Sequence, residues 1–373
     1  VGEGLTPSSS QRPKVYARLK RRLWVLDLAL TGGFLTAILV SGFAQRLSSW
    51  VSARIVGSFV QVALYTSLLG LGWWALSLPL DGYRSFVLEH RFGLSTQRFG
   101  QWFMEHLKQF VVGGILSLIV VEGLVALMRN APKNWWLWAT LLWIGWSSLL
   151  THLGPTLLIP LFYRQRPLED AALRQRLELL LRRCGARVGG IFEVNLSKTT
   201  RKANACLCGL GYSRRVLVSD TLLSAYPPEE VEVVLAHELG HHRLHHLGIL
   251  ILMGSITAGF SCLVVDQVAR LTLGSLGILG LQDLAVLPLI GLILFLVGLV
   301  LMPLTHGVSR WLEAQADRFA LEQTRNPKAF ITTMLRLAEQ NLSEVEPPRW
   351  VEILLYDHPS ISKRIALAQR YGG

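Results

Sequence analysis

The chain has 373 residues, 51% of them hydrophobic and only 17% charged, and its mean hydropathy is positive. That balance excludes an ordinary soluble enzyme and points to a multi-pass membrane protein. The formal net charge of +12 is no sign of nucleic acid, because the lysines and arginines sit largely beside apolar runs, where topology and anionic lipid account for them.

In chain order, a basic arm over 12–22 precedes an apolar segment at 24–44 that contains Asp27. The arm resembles a signal-peptide n-region, but no clean cleavage site follows and more spans do, so the segment is expected to be retained. Residues 55–80 carry no charged side chain and exceed the roughly 20 residues that cross a bilayer. A third span, 109–128, has Glu122 inside it. A carboxylate is expensive in lipid, so Glu122 is expected either to face an internal chamber or to be protonated against a neighbouring helix. The fourth, 135–162, opens on Trp135, Trp136 and Trp138 as interfacial anchors and contains Gly154-Pro155, which predicts a kink or break. Segments 247–265 and 285–305 bring the expected number of spans to six.

The basic arm places the N-terminus in the cytoplasm by the positive-inside rule. The expected organisation is then a cytoplasmic arm 1–23, four spans within 24–163 joined by a cytoplasmic loop 81–108, a cytoplasmic α+β segment 164–246, two spans within 247–305 and a cytoplasmic segment 306–373. That face belongs to the inner membrane in a prokaryote and to the endoplasmic reticulum in a eukaryote.

Within the polar segment, Leu168, Leu173, Leu177, Leu180 and Leu181 form a helical stripe that ends at Gly185. "GGIFEVNLS", "NACLCGLG" and "RRVLVSD" are strand-length, and Gly-Tyr-Ser between the last two predicts a hairpin. Cys184, Cys206, Cys208 and Cys262 are too few and too irregular for a disulfide framework, and read as packing residues. A helix starts near "AYPPEEVEVVLAHELGHH", with proline in its first turn and Glu229 and Glu230 at the positive end of its dipole.

On that helix His237 and His241 are four apart, so both imidazoles leave one face and can hold one zinc ion, while Glu238 can reach a water on the metal. The bland reading is a solvated, His-rich helix end, and His242, His245 and His246 are taken as surface or interfacial. Catalytic zinc has three protein ligands, yet Leu247 and Ile251 leave no third histidine at the spacings known after H-E-x-x-H. The candidate is Glu313 in "SRWLEAQADRFALEQ", with Asp317 four residues on to orient a ligand imidazole from behind. Two intervening spans return the chain to the same face. Alone, Glu313 would read as a solvated charge paired with Arg310.

With "PLDGYRSFVLEHRFGLSTQRF", "LIPLFYRQRPLEDAALRQRL", "RKANACLCGLGYSRRVLVSDTLL", "HELGH", "EAQADRFAL" and "HPSISKRI", the chain resembles the integral-membrane type I CAAX prenyl proteases over most of its length. The resemblance implies a mainly α, multi-pass fold whose helices enclose a water-filled chamber, with six spans here against seven in eukaryotic members. It implies one Zn2+ per chain, a peptide or lipidated-peptide substrate, a zinc-bound water as nucleophile and Glu238 as general base. His358 and Arg364 match family residues near the zinc and would stabilise an oxyanion, although a helix start and ordinary surface charge also describe them. Asn204 and Ala205 fall in the family's edge-strand motif, where a strand over 204–210 would hold an extended peptide. Two competing readings are a membrane quality-control metalloprotease and, in a different class, a zinc transporter or sensor built on the His-rich helix.

Overall fold

The computed structural model describes residues 11–372. Helix α1 (Arg12–Val40) already includes the basic arm, because Pro13 sits in its first turn and no breaker separates the lysines and arginines from the apolar run. The expected external loop at 45–54 is itself a helix, α2 (Phe43–Arg54), which turns back from α1 through Gly42 at φ 68. Helix α3 (Ser58–Arg91) runs past the expected end at 80 through a π turn at Tyr83–Val87, just beyond Pro79, and α4 spans Phe99–Asn130. The expected loop 81–108 therefore shrinks to residues 92–98. Helix α5 (Trp135–Leu153) passes through a π turn at Gly154–Leu158 into Ile159–Phe162, so Gly154-Pro155 widens the helix without breaking it.

Beyond the polar segment lie α9 (His246–Thr272) and α10 (Val286–Thr324). Among the described residues five helices are long and apolar enough to cross a membrane, namely α1, α3, α4, α9 and α10, where six were expected. The expected span at 135–162 falls short on apolarity because α5 carries Trp135, Trp136, Trp138, Trp143 and Trp146, whose indole N–H makes them amphipathic. Packing nonetheless includes it. Contacts between α1 and α3, α3 and α4, α4 and α5, α5 and α9, α9 and α10, and α10 and α1 close a ring. Only 6% to 28% of each crossing window is buried, so ring members touch along narrow seams and leave side chains such as Ile115, Ile256 and Val300 exposed.

Between α5 and α9 the chain forms a small α+β unit: β1 (Gln165–Pro167), α6 (Ala171–Arg183), β2 (Ile191–Val194), β3 (Ala205–Cys208), β4 (Arg215–Ser219), α7 (Asp220–Ala225) and α8 (Pro228–Arg243). The sheet order is β1-β2-β4-β3, with β3 antiparallel to β4 as the hairpin pattern predicts. Gly209 (φ 96) makes the turn, and a Cβ there would lie 2.6 Å from Ser213 O. Asp170 caps α6 by accepting the Leu173 N–H at 2.9 Å. The buried stripe Leu173, Leu177, Leu180 and Leu181 then packs with Val231, Leu235 and Leu239 of α8 in one core. The same core takes Phe330 and Met334 from α11 (Pro327–Gln340). A short α12 (Arg349–Leu355) and α13 (Ile361–Gly372) complete the described chain. Each leucine so buried contributes about 1.5–3 kcal/mol, which anchors α8 between the sheet and the polar half of α10.

Candidate active site

Helix α10 is one continuous element of 39 residues. At 1.5 Å rise per residue it carries the chain out of its apolar half and lays Glu313 and Asp317 against α8. The two helices meet at Gly240, where a Cβ would stand 2.9 Å from Ala316 Cα. No larger residue fits there, and that close approach brings the expected ligands together. His237 Nε2 is 3.1 Å from Glu313 Oε2, His241 Nε2 is 3.2 Å from Glu313 Oε1, and the two Nε2 atoms are 3.2 Å apart.

Behind His237, Asp317 is 1% exposed and its Oδ1 accepts from His237 Nδ1 at 2.9 Å. That bond fixes the proton on Nδ1 and turns the Nε2 lone pair toward Glu313. Burial pushes the His237 imidazole down, but the Asp317 and Glu313 carboxylates outweigh it and hold the ring up at about 9. Arg364, expected as an oxyanion donor, bonds Asp317 through Nε at 2.8 Å and Nη2 at 2.6 Å. Its guanidinium braces the carboxylate behind His237.

His358 does reach the site, with Nε2 3.3 Å from Glu313 Oε2 and Nδ1 2.8 Å from Asp357 Oδ1. Burial lowers its affinity for a proton, and the neighbouring Asp357 and Glu313 more than restore it, so the ring is held above the usual histidine range.

Glu238 points the other way along α8, toward the edge of the sheet, and its Oε2 accepts the Leu207 N–H at 3.2 Å. In an antiparallel pair alternate residues turn their backbone groups toward the partner strand. Asn204 is one of these: its C=O accepts from Ser219 N and its N–H donates to Ser219 Oγ, both at 3.0 Å. The backbone N–H and C=O of Asn204 are therefore both engaged by Ser219. Ala205 and Leu207 are the residues of β3 whose backbone faces the open edge, and the sequence alone did not single out Leu207, whose N–H meets Glu238.

The other departure is His246, expected at the surface but fully buried, with Nδ1 3.0 Å from His241 Nδ1. Of its neighbours, His242 contacts Arg214 at 3.3 Å and His245 is exposed. Glu122 is partly buried, and its Oε1 is shielded without a hydrogen-bond partner among the described residues.

The donor set fits a zinc ion. Zinc–nitrogen and zinc–oxygen distances of about 2.0–2.2 Å at tetrahedral angles place ligand atoms about 3.3 Å apart. The two Nε2 atoms are 3.2 Å apart, and each lies within 3.2 Å of one of the two Glu313 carboxylate oxygens. Two imidazole nitrogens facing each other beside a carboxylate are poorly served by hydrogen bonding alone. His237, His241 and Glu313 also form the described group whose ligand atoms converge as a metal site requires.

Comparison with known proteins accords with this geometry. The profile of peptidase family M48 matches residues 167–371, more than half of the chain. The chain belongs to peptidase family M48. A CAAX prenyl protease N-terminal profile, described as five membrane helices, matches residues 3–164 ahead of the M48 peptidase region. An uncharacterized metalloprotease of Bacillus subtilis (strain 168), YhfN, is 29% identical over 372 residues, covering 98% of this chain and 87% of that protein. A CAAX prenyl protease 1 homolog of Caenorhabditis elegans is 26% identical over 393 residues, covering 94% and 87%. The crystal structure of S. mikatae Ste24p superposes with a TM-score of 0.86 at 20% identity, over 96% of this chain and 89% of that one, and shares the fold. The protein is thus an integral-membrane M48 metallopeptidase with a His-His-Glu metal site.

Proposed function

We propose that this M48 peptidase is a zinc endopeptidase that cleaves lipidated or membrane-associated peptides, of the CAAX type, at the cytoplasmic face of its membrane. The observation that carries the reading is the convergence of ligand atoms from His237, His241 and Glu313; Glu238, next to His237 on α8 and bonded to the Leu207 N–H at the edge of β3, supports the role of base. Zinc bound there would supply a Lewis acid for the scissile carbonyl and a water nucleophile effective at neutral pH. His237, His241 and Glu313 would hold the ion, with Asp317 and Arg364 behind the first.

An extended peptide would lie against β3, bonding the outward backbone of Ala205 and, once Glu238 lets go of it, Leu207. Such bonding makes little demand on side chains. Glu238 then takes a proton as general base and returns it to the leaving amine. His358, held toward its protonated form, donates to the carbonyl oxygen as negative charge develops. The basic arm supports cytoplasmic placement of the segments 164–246 and 306–373. The ring of helices supports a membrane-associated substrate, since α10 carries Glu313 on the same continuous helix as an apolar half long enough to cross a membrane.

The test is cleavage of a farnesylated and a plain peptide by purified protein of known zinc content, with mass-spectrometric identification of products. Glu238→Gln should retain zinc and lose about 10²–10⁴-fold in rate; wild-type turnover by that variant would remove Glu238 from the mechanism. Equal cleavage of both peptides favours a quality-control protease over a prenyl protease.

A further inference from the structure

We infer that His246 is a positioning residue for the metal, accepting the Nδ1–H of His241 and thereby fixing Nε2 of that ring as the ligand atom. The inference rests on the reading that His241 binds the ion.

The geometry comes from a break in the chain. On an uninterrupted helix, residues five apart lie about 140° around the axis from each other, so His241 and His246 would not meet. Helix α8 stops at Arg243, His245 adopts the left-handed conformation at φ 56, and α9 starts at His246. That single reversed residue turns His246 back beneath His241. The rings meet edge to face with centroids 5.0 Å apart and a 76° interplanar angle, and the Nδ1 atoms are 3.0 Å apart.

The direction of the bond follows from the ligand set. His241 Nε2 lies 3.2 Å from both His237 Nε2 and Glu313 Oε1, so it must be unprotonated to bind metal. A neutral imidazole then keeps its proton on Nδ1, and that N–H points at His246. His246 accepts with its own Nδ1 and carries its proton on Nε2, which is buried without a partner among the described residues. His246 cannot be an additional ligand in this arrangement, because it meets the nitrogen of His241 that faces away from the site. The two ligand rings are therefore oriented differently, His237 by an anion and His241 by a neutral imidazole.

The experiment compares His246→Asn, which offers an amide oxygen as acceptor, with His246→Phe, which fills the space without one. Cobalt(II) and zinc affinities are measured by chelator competition, together with the visible cobalt spectrum and the thermal midpoint of metal-free protein. His246→Phe should weaken metal binding about 10–100-fold and shift the cobalt bands while the metal-free midpoint stays near wild type, and His246→Asn should recover most of the affinity. His246→Leu replaces the phenylalanine variant if that one does not fold. Unchanged affinity and spectrum in the variant lacking an acceptor, or equal losses in all variants, would overturn the inference. A wild-type protein that binds no metal would sink the zinc reading itself, and this inference with it.

Discussion

Gly240 and Ala316 mark the point where the two ligand-bearing helices touch: a Cβ on Gly240 would stand 2.9 Å from the Ala316 Cα and 3.2 Å from its carbonyl oxygen. Both obstacles are backbone, so neither rotates aside. Gly240→Ala must therefore push α8 and α10 apart, at about 1–3 kcal/mol for overpacking. The same displacement separates His237 and His241 from Glu313. The expected outcome is a lower thermal midpoint together with weakened zinc binding in chelator competition. A variant that is destabilised but keeps wild-type zinc affinity would show that the site tolerates the shift.

This contact also explains what could be read from the sequence. The pairs His237/His241 and Glu313/Asp317 were legible because helical periodicity fixes which side chains share a face, α8 and α10 are regular through those positions, and a third ligand on the same side of the membrane was still required. His246 was not legible, since it depends on a left-handed histidine that carries no compositional sign. The backbone partners of Asn204 were not legible for a related reason. A strand can be read from its residues, but which of them face the partner strand depends on register, which Ser219 settles here. Span boundaries blurred where basic residues propagate a helix as well as apolar ones, as in α1, and the tryptophans of α5 reduced its apolarity without removing it from the ring.

Arg364 and Asp317 offer a second test. Asp317 is 1% exposed and takes two bonds from one guanidinium, so Arg364→Ala leaves a buried carboxylate without its cation. Losing one partner of such a pair costs about 3–5 kcal/mol. Arg364→Lys restores the charge but not the two-pronged geometry, and should recover part of the stability. Thermal midpoints of the metal-loaded proteins should rank wild type, lysine, alanine. If the alanine variant matches wild type, the brace assigned to Arg364 is wrong.

His245 pays for the turn between α8 and α9. A non-glycine residue at φ 56 carries about 1–2 kcal/mol of steric strain that glycine avoids, less about 0.5–1 kcal/mol for the extra freedom glycine brings to the unfolded chain. His245→Gly should leave the protein as stable or up to about 1.5 kcal/mol more stable. His245→Val should destabilise it, because β-branched side chains tolerate that region worst. Heat-inactivation midpoints of the two variants would settle the sign, and a glycine variant clearly less stable than wild type would mean that the histidine side chain has a role of its own.

Zinc affinity should depend on pH through His237. The carboxylates of Asp317 and Glu313 outweigh burial and hold this imidazole at about 9 in the metal-free protein, so at neutral pH the ring carries a proton that zinc must displace. A protonated nitrogen cannot coordinate. The apparent dissociation constant should therefore rise about tenfold for each unit that pH falls below 9, equivalent to about 1.4 kcal/mol per unit, and flatten above it. Asp317→Asn removes one of the groups that raise the ring, so its steep region should move to lower pH, even though the loss of the anchoring carboxylate weakens binding at high pH. Chelator competition between about pH 6.5 and 10 on both proteins measures this. A flat profile for wild type below 9 would mean that His237 is already neutral before the metal arrives.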